Sequence, residues 1–371
     1  MESNALRLFF GITLTICGIF FTCRVSHCEA TPRDKMRAAQ VRQQYAMYVW
    51  TTGFDPAVSG CTRTKFMEWD THGICFTHTW NNEAKRAWLW NTCNVAGREV
   101  SLVFISDVHR NLQRAKESGD CSTAEIATVR TMLSEGHAKV PNLKIYGLYA
   151  VSDIEVTERQ LVQYIVYYND QCARNISERF DGVAINNEAY AGIKCGSDAE
   201  RILYLERLRE ITSEAGKQTH GRLLTHYSMS WHWGQCHGAP SNITWNGHTY
   251  DVSHHMIDIF DSTDVQVGYT IFPQISDRMK IAGYSYALAT GKKIYTTVYT
   301  NKESPCQITL FPNPACHQGD HSEQGMFAVF DQLANHGIGY ALPCIHYFRG
   351  VYSSGGGSDW PSHSQTGHIV G

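Results

Sequence analysis

The residues with the clearest chemical potential close one short apolar run, Asp181-Gly182-Val183-Ala184-Ile185-Asn186-Asn187-Glu188. Two carboxamides and a carboxylate meet at its end. Side chains alternate along a strand, so Ala184, Asn186 and Glu188 share one face. Gly182 and Ala184 keep that face open. A glutamate set among apolar strand ends has its carboxyl group raised by desolvation, so it can hold a proton near neutrality and donate it. Asn186, two residues before it on the same face, can hydrogen-bond an amide.

The flanking segments indicate how such a strand is held. From Thr157 to Glu178 the pattern is helical: Thr157 can N-cap, Gln160 can close a capping box, and Leu161, Val162, Ile165 and Val166 share a face. Ser197 to Ala215 is helical again, with Ile202, Leu203, Leu205, Leu208 and Ile211 at helical spacing. A buried strand between two helices, with Asn and Glu at its C-terminal end, is the place where a (β/α) barrel carries its functional groups.

Strand-like runs recur along the chain at 45–50, 101–106, 143–149, 180–186, 223–230, 265–270, 293–300 and 338–344. Helical candidates at 124–135, 276–288 and 322–335 lie between them. Eight strands alternating with helices predict one α/β domain, a single (β/α)8 TIM-type barrel. The 371 residues suffice for it. The Cys- and Trp-rich stretch 53–97 reads as an irregular insertion after strand one. Residues 31–351 are then the barrel domain, and the Gly/Ser/His-rich segment 352–371 is a flexible tail. No internal repeat or second domain is visible.

Arg7 precedes an uncharged apolar run from Leu8 to Cys23, and small residues follow at Cys28-Glu29-Ala30. Residues 1–30 thus have the architecture of a signal peptide, and the run is short for a spanning helix. The expected location is extracellular, with no membrane association once the signal is removed. Of thirteen cysteines, ten lie beyond this leader: Cys61, Cys75, Cys93, Cys121, Cys172, Cys195, Cys236, Cys306, Cys316 and Cys344. An even count without CxxC pairs predicts up to five disulfides, with Cys61, Cys75 and Cys93 tying down the insertion. Asn175-Ile176-Ser177 and Asn242-Ile243-Thr244 are glycosylation sequons. A formal net charge of −3 gives no reason to expect nucleic acid as a partner. Nine Trp and nineteen Tyr serve core packing or form platforms for the apolar faces of sugar rings.

The run from Asp181 to Glu188 resembles the fourth-strand motif of barrel glycosidases that use substrate-assisted catalysis. The chitinase-type pattern is Asp-Gly-x-Asp-x-Asp-x-Glu. That of the endo-β-N-acetylglucosaminidases is closer to Asp-Gly-x-x-x-Asn-x-Glu, met here at every specified position. The resemblance implies Glu188 as general acid and Asn186 as the residue orienting a 2-acetamido group, whose carbonyl oxygen attacks the anomeric carbon. Ala184 and Asn186 stand where the chitinase-type pattern has aspartates, which argues against a straightforward chitinase. The implied partner is a carbohydrate containing N-acetylhexosamine, with no cofactor and no metal.

Two alternatives stand beside this reading. Asn187-Glu188 is also the adjacent pair closing strand four in a large clan of retaining glycosidases, where a second Glu is the nucleophile; here that would be Glu303. A secreted, catalytically inactive carbohydrate-binding barrel is the other, favoured by Ala184 and opposed by Glu188. Candidate substrate-binding residues around the mouth are Asn187, Asp107, Tyr227, Trp231, Trp233 and Tyr269, with His109, Asp153, His346 and Tyr347 nearby. Asp107-Val108-His109, or His254-His255 with Asp258, is the weaker metal-hydrolase alternative, since no HExxH occurs. No Gly-x-Ser-x-Gly elbow occurs either.

Overall fold

A computed structural model describes residues 44–49, 83–106, 108–300, 305–310, 316 and 321–346. All belong to one compact unit, residues 40–371. The barrel strands are β1 (Tyr45–Val49), β2 (Val100–Ile105), β3 (Lys144–Val151), β4 (Gly182–Asn187), β5 (Leu224–Ser230), β8 (Ser262–Gln266), β9 (Lys293–Tyr299) and β10 (Leu342–His346). They close in the order β1-β10-β9-β8-β5-β4-β3-β2, every pair parallel. This is the expected (β/α)8 barrel. A small antiparallel hairpin, β6 (Asn242–Trp245) and β7 (His248–Asp251), is inserted after β5.

Alternation along the strands sorts the core into two layers. Ala46, Tyr48, Phe104, Leu148 and Ala184 are among the side chains filling the barrel interior. Val103, Ile145, Val183 and Ile185 belong to the core between strands and helices. The helices there include α1 (Glu83–Cys93), α2 (His109–Ser118), α3 (Ala124–Lys139), α4 (Arg159–Tyr167), α5 (Tyr190–Ile193) and α6 (Asp198–Ala215). Further along lie α7 (Val252–Ile259), α8 (Phe272–Ile281), α9 (Tyr284–Thr290) and α10 (Glu323–Asn335). Helix α6 starts where its sequence predicts: Ser197 accepts from the Glu200 N–H and Glu200 reaches back to Ser197, a complete capping box.

The Asp-Gly that opens the fourth-strand motif is structural. Asp181 accepts from the Ile145 N–H at 2.9 Å and from Lys144 Nζ at 2.7 Å, and its Oδ2 lies 2.9 Å from His137 Nε2. A Cβ at Gly182 would come within 2.7 Å of the Leu224 carbonyl oxygen and the Tyr146 ring. Only glycine lets these strands approach so closely.

Several boundaries differ from expectation. The expected helix at 157–178 is shorter: α4 begins at Arg159 with no side-chain cap, while the Thr157 hydroxyl donates to Asp153. Its end passes into a π-helical turn at Tyr168–Cys172. The helix expected at 276–288 is two helices, parted at Gly283, whose φ of +94° ends α8 and starts α9. The sixth and eighth barrel strands fall at Ser262–Gln266 and Leu342–His346, each displaced from the apolar run that suggested it. In β8 the inward residues are polar, which hid the strand. Part of the supposedly irregular insertion is helix α1, with Trp90 fully buried.

Disulfides join Cys121–Cys172, Cys195–Cys236 and Cys306–Cys316. Cys93 is not a tie for the insertion: it and Cys344 are buried and unpaired, so the ten non-leader cysteines form at most four disulfides. Cys61, Cys75, the leader and the tail lie outside the described residues.

Candidate active site

Strand β4 delivers Asn186 and Glu188 to the C-terminal mouth. Asn186 pairs in register with Ala150 of β3 and Ser228 of β5. The Glu188 N–H continues the ladder by donating to the Val151 carbonyl at 3.1 Å. The Glu188 side chain is half-buried and, among the described residues, has no ion pair or side-chain hydrogen bond. Burial alone pushes its carboxyl above the ordinary carboxylate range. The phenols of Tyr190 and Tyr299 are raised first by burial and then by the Glu188 charge.

Asn186 is held by a polar network. Gln266 Nε2 donates to Asn186 Oδ1 and to Ser228 Oγ, both at 2.8 Å, and the Tyr299 hydroxyl donates to Gln266 Oε1 at 2.7 Å. A second group lies deeper. The fully buried Asp264 accepts from the Tyr48 hydroxyl at 2.7 Å, from His226 Nε2 at 2.8 Å and from Thr297. His226 Nδ1 is 2.8 Å from Ser262 Oγ, and its ring packs 4.4 Å from Phe104. The inward side chains of β8 (Ser262, Asp264 and Gln266) thus sit at successive levels of one hydrogen-bonded core beneath Glu188.

The other expected site residues divide. Asn187 points away from the interior: its Nδ2 donates to the Asp153 carbonyl at 2.9 Å and to Glu158 Oε2 at 3.1 Å, and its Oδ1 accepts from the Ala189 N–H. Tyr227 also faces outward, bonded to Tyr204 and stacked on Phe260. Trp233 is fully buried against Tyr204. These three brace strands from behind and do not join Asn186 and Glu188. Trp231 and Tyr269 are half-buried after β5 and β8, in a column with other planar groups. His232 stacks on Tyr190 with centroids 5.1 Å apart and on Trp231 at 3.9 Å. The Arg278 guanidinium lies 3.9 Å from the Trp231 ring and donates to the Tyr269 hydroxyl at 3.1 Å. Trp231 therefore already carries a ring and a guanidinium. Burial, with Lys194 and Arg278 nearby, pushes His232 down to about 4, so it is neutral near pH 7.

His109 packs its ring 4.4 Å from Tyr149, and Asp153 accepts from Thr157. His346 packs between Tyr48 and Tyr299 at 4.9 and 4.8 Å. His254 stacks on Tyr286, away from the barrel interior. Asp107, Glu303 and Tyr347 lie outside the described residues. Asn175 and Asn242 are exposed. The one group spaced for a metal among the described residues is Cys195, Cys236 and His237, and its two sulfurs are joined as a disulfide.

Tyr48, Tyr190, His226, Ser228, Asp264, Gln266 and Tyr299 lie around this site without standing out in the sequence. The available signal was polar residues at period two in Ser262-Thr263-Asp264-Val265-Gln266, a pattern costly to bury unless every group finds a partner.

No known family profile and no curated protein matches this chain. Solved structures similar to it include a GH18 chitinase from Pseudoalteromonas aurantia, at 11% identity and a TM-score of 0.43, covering 85% of this chain and 97% of that one. Others are a chitinase from Bacteroides thetaiotaomicron (11%, 0.41, 82% and 89%) and a xylanase–α-amylase inhibitor protein in complex with trehalose (9%, 0.42, 84% and 94%).

Proposed function

We propose that this chain is a secreted glycoside hydrolase-like barrel acting on glycans that contain N-acetylhexosamine, with Glu188 as general acid and Asn186 orienting the 2-acetamido group. The carrying observation is the state of Glu188: inward at the C-terminal mouth, half-buried, raised by burial and not neutralised by any cation among the described residues. Such a carboxyl keeps a proton for a leaving glycosidic oxygen. Asn186, fixed on the same face, supplies the amide that engages the acetamido group. Its carbonyl oxygen would then attack the anomeric carbon, so no second carboxylate is required. Three disulfides support an oxidising compartment, and no described helix is long and apolar enough to cross a membrane.

The test is hydrolysis of aryl N-acetylhexosaminides and acetylated oligosaccharides. Glu188→Gln should lower turnover by about 10²–10⁴-fold with binding nearly intact. Asn186→Ala should also lower turnover, and sugars lacking the acetamido group should resist cleavage. Loss of activity in Glu303→Gln with a mild Asn186→Ala effect would favour the retaining-pair mechanism. Binding without hydrolysis would favour the inactive, sugar-binding reading that Ala184 suggests.

A further inference from the structure

The network beneath Glu188 has a direction as well as a shape. Gln266 Nε2 donates to the Ser228 oxygen at 2.8 Å. The same Nε2 supplies its second proton to Asn186 at 2.8 Å, and the Tyr299 hydroxyl closes Oε1 at 2.7 Å. Asn186 must therefore turn Oδ1 toward Gln266. Its Nδ2 makes no hydrogen bond among the described residues.

We propose that Gln266, itself held by Tyr299 and Ser228, is a positioning residue that fixes the Asn186 carboxamide with its N–H groups left for the ligand. The site is therefore built to take a hydrogen-bond acceptor, the carbonyl oxygen of a 2-acetamido sugar. The sugar rests on the function proposed above; the direction of the relay does not. An amide oxygen has two lone pairs, so one can be held by Asn186 while the other faces the anomeric carbon.

Two experiments separate these parts. Neutron diffraction from deuterium-exchanged, ligand-free crystals should show both Gln266 Nε2 deuterons, one on Asn186 and one on Ser228. Deuterons running from Asn186 Nδ2 to Gln266 Oε1 would overturn the relay. Calorimetric binding of triacetylchitotriose, in a Glu188→Gln background that stops turnover, tests the ligand. In Gln266→Glu the new carboxylate has acceptors only, so Asn186 must turn its N–H groups toward it, and binding should weaken about tenfold, the worth of one hydrogen bond. Asn186→Asp keeps the acceptor for Gln266 but loses the donors, and should weaken binding equally, with its added charge at position 186 and not at Gln266. Unchanged affinity in both variants overturns the assignment. No binding by any form, with the neutron polarity as described, overturns the hexosamine reading and leaves the relay standing.

Discussion

Strand β4 carries two adjacent asparagines, and its two faces put them to different use. Outward, Asn187 donates to Glu158, a fully buried glutamate that also accepts from the Val151 N–H at 3.2 Å. Inward, Asn186 is fixed by Gln266 and stands on the same face as Glu188, whose carboxyl has no such partners among the described residues. Burial raises both glutamates, Glu158 to about 8 even against its hydrogen bonds. A raised carboxyl is thus no mark of chemistry by itself. The difference is access: one acid is sealed behind the sheet and already satisfied, the other is half-open at the mouth and is not.

The sharpest break in this comparison would come from activity. Glu188→Gln should remove about 10²–10⁴-fold of turnover, while Glu158→Gln should leave turnover close to wild type. Equal losses in kcat would show that the outward pair also serves the reaction. Stability should separate the faces in the opposite sense. Asn187→Ala deprives Glu158, the Asp153 carbonyl and the Ala189 N–H of partners at once, and should cost about 1–3 kcal/mol in urea denaturation. Asn186→Ala should cost less, because Gln266 keeps Ser228 and Tyr299.

A further difference lies in pH dependence. Glu158 has a folded value of about 8 against an ordinary 4.5, so between these the native state binds more protons than the unfolded chain. Its contribution to stability is then full below about pH 4.5 and declines as pH rises through about 8. Glu158→Gln should flatten that decline in thermal melts between pH 5 and 8. A variant with the wild-type slope would place the titration elsewhere.

Much of the architecture was legible because barrel strands announce themselves by apolar runs. Six of the eight runs lie within two residues of the observed strands, and the alternation that joins Ala184, Asn186 and Glu188 is a direct consequence of the pleat. The supporting shell was not legible in the same way. Ser262, Asp264 and Gln266 face inward on a strand too polar to look buried, and their partners come from β1, β5 and β9, far away in sequence. Proximity along the chain points Asn187, Tyr227 and Trp233 to the mouth. They sit one residue out of phase with the inward positions, or past the strand end, so the pleat and the turn carry them behind the sheet. Asp-Gly, the part of the motif that looks most like a signature, holds strand spacing at the far end of β4.

The two unpaired cysteines among the described residues give this barrel a built-in clock. Cys344 lies in the barrel interior and Cys93 in the layer between strands and helices, both with thiols raised by burial. Neither can meet a thiol reagent until its own layer admits water, so labelling rates report opening events and not reactivity. Equal rates would mean that the closed ring of strands and its helical coat come apart together. Faster modification of Cys93 would mean that the coat loosens while the ring holds.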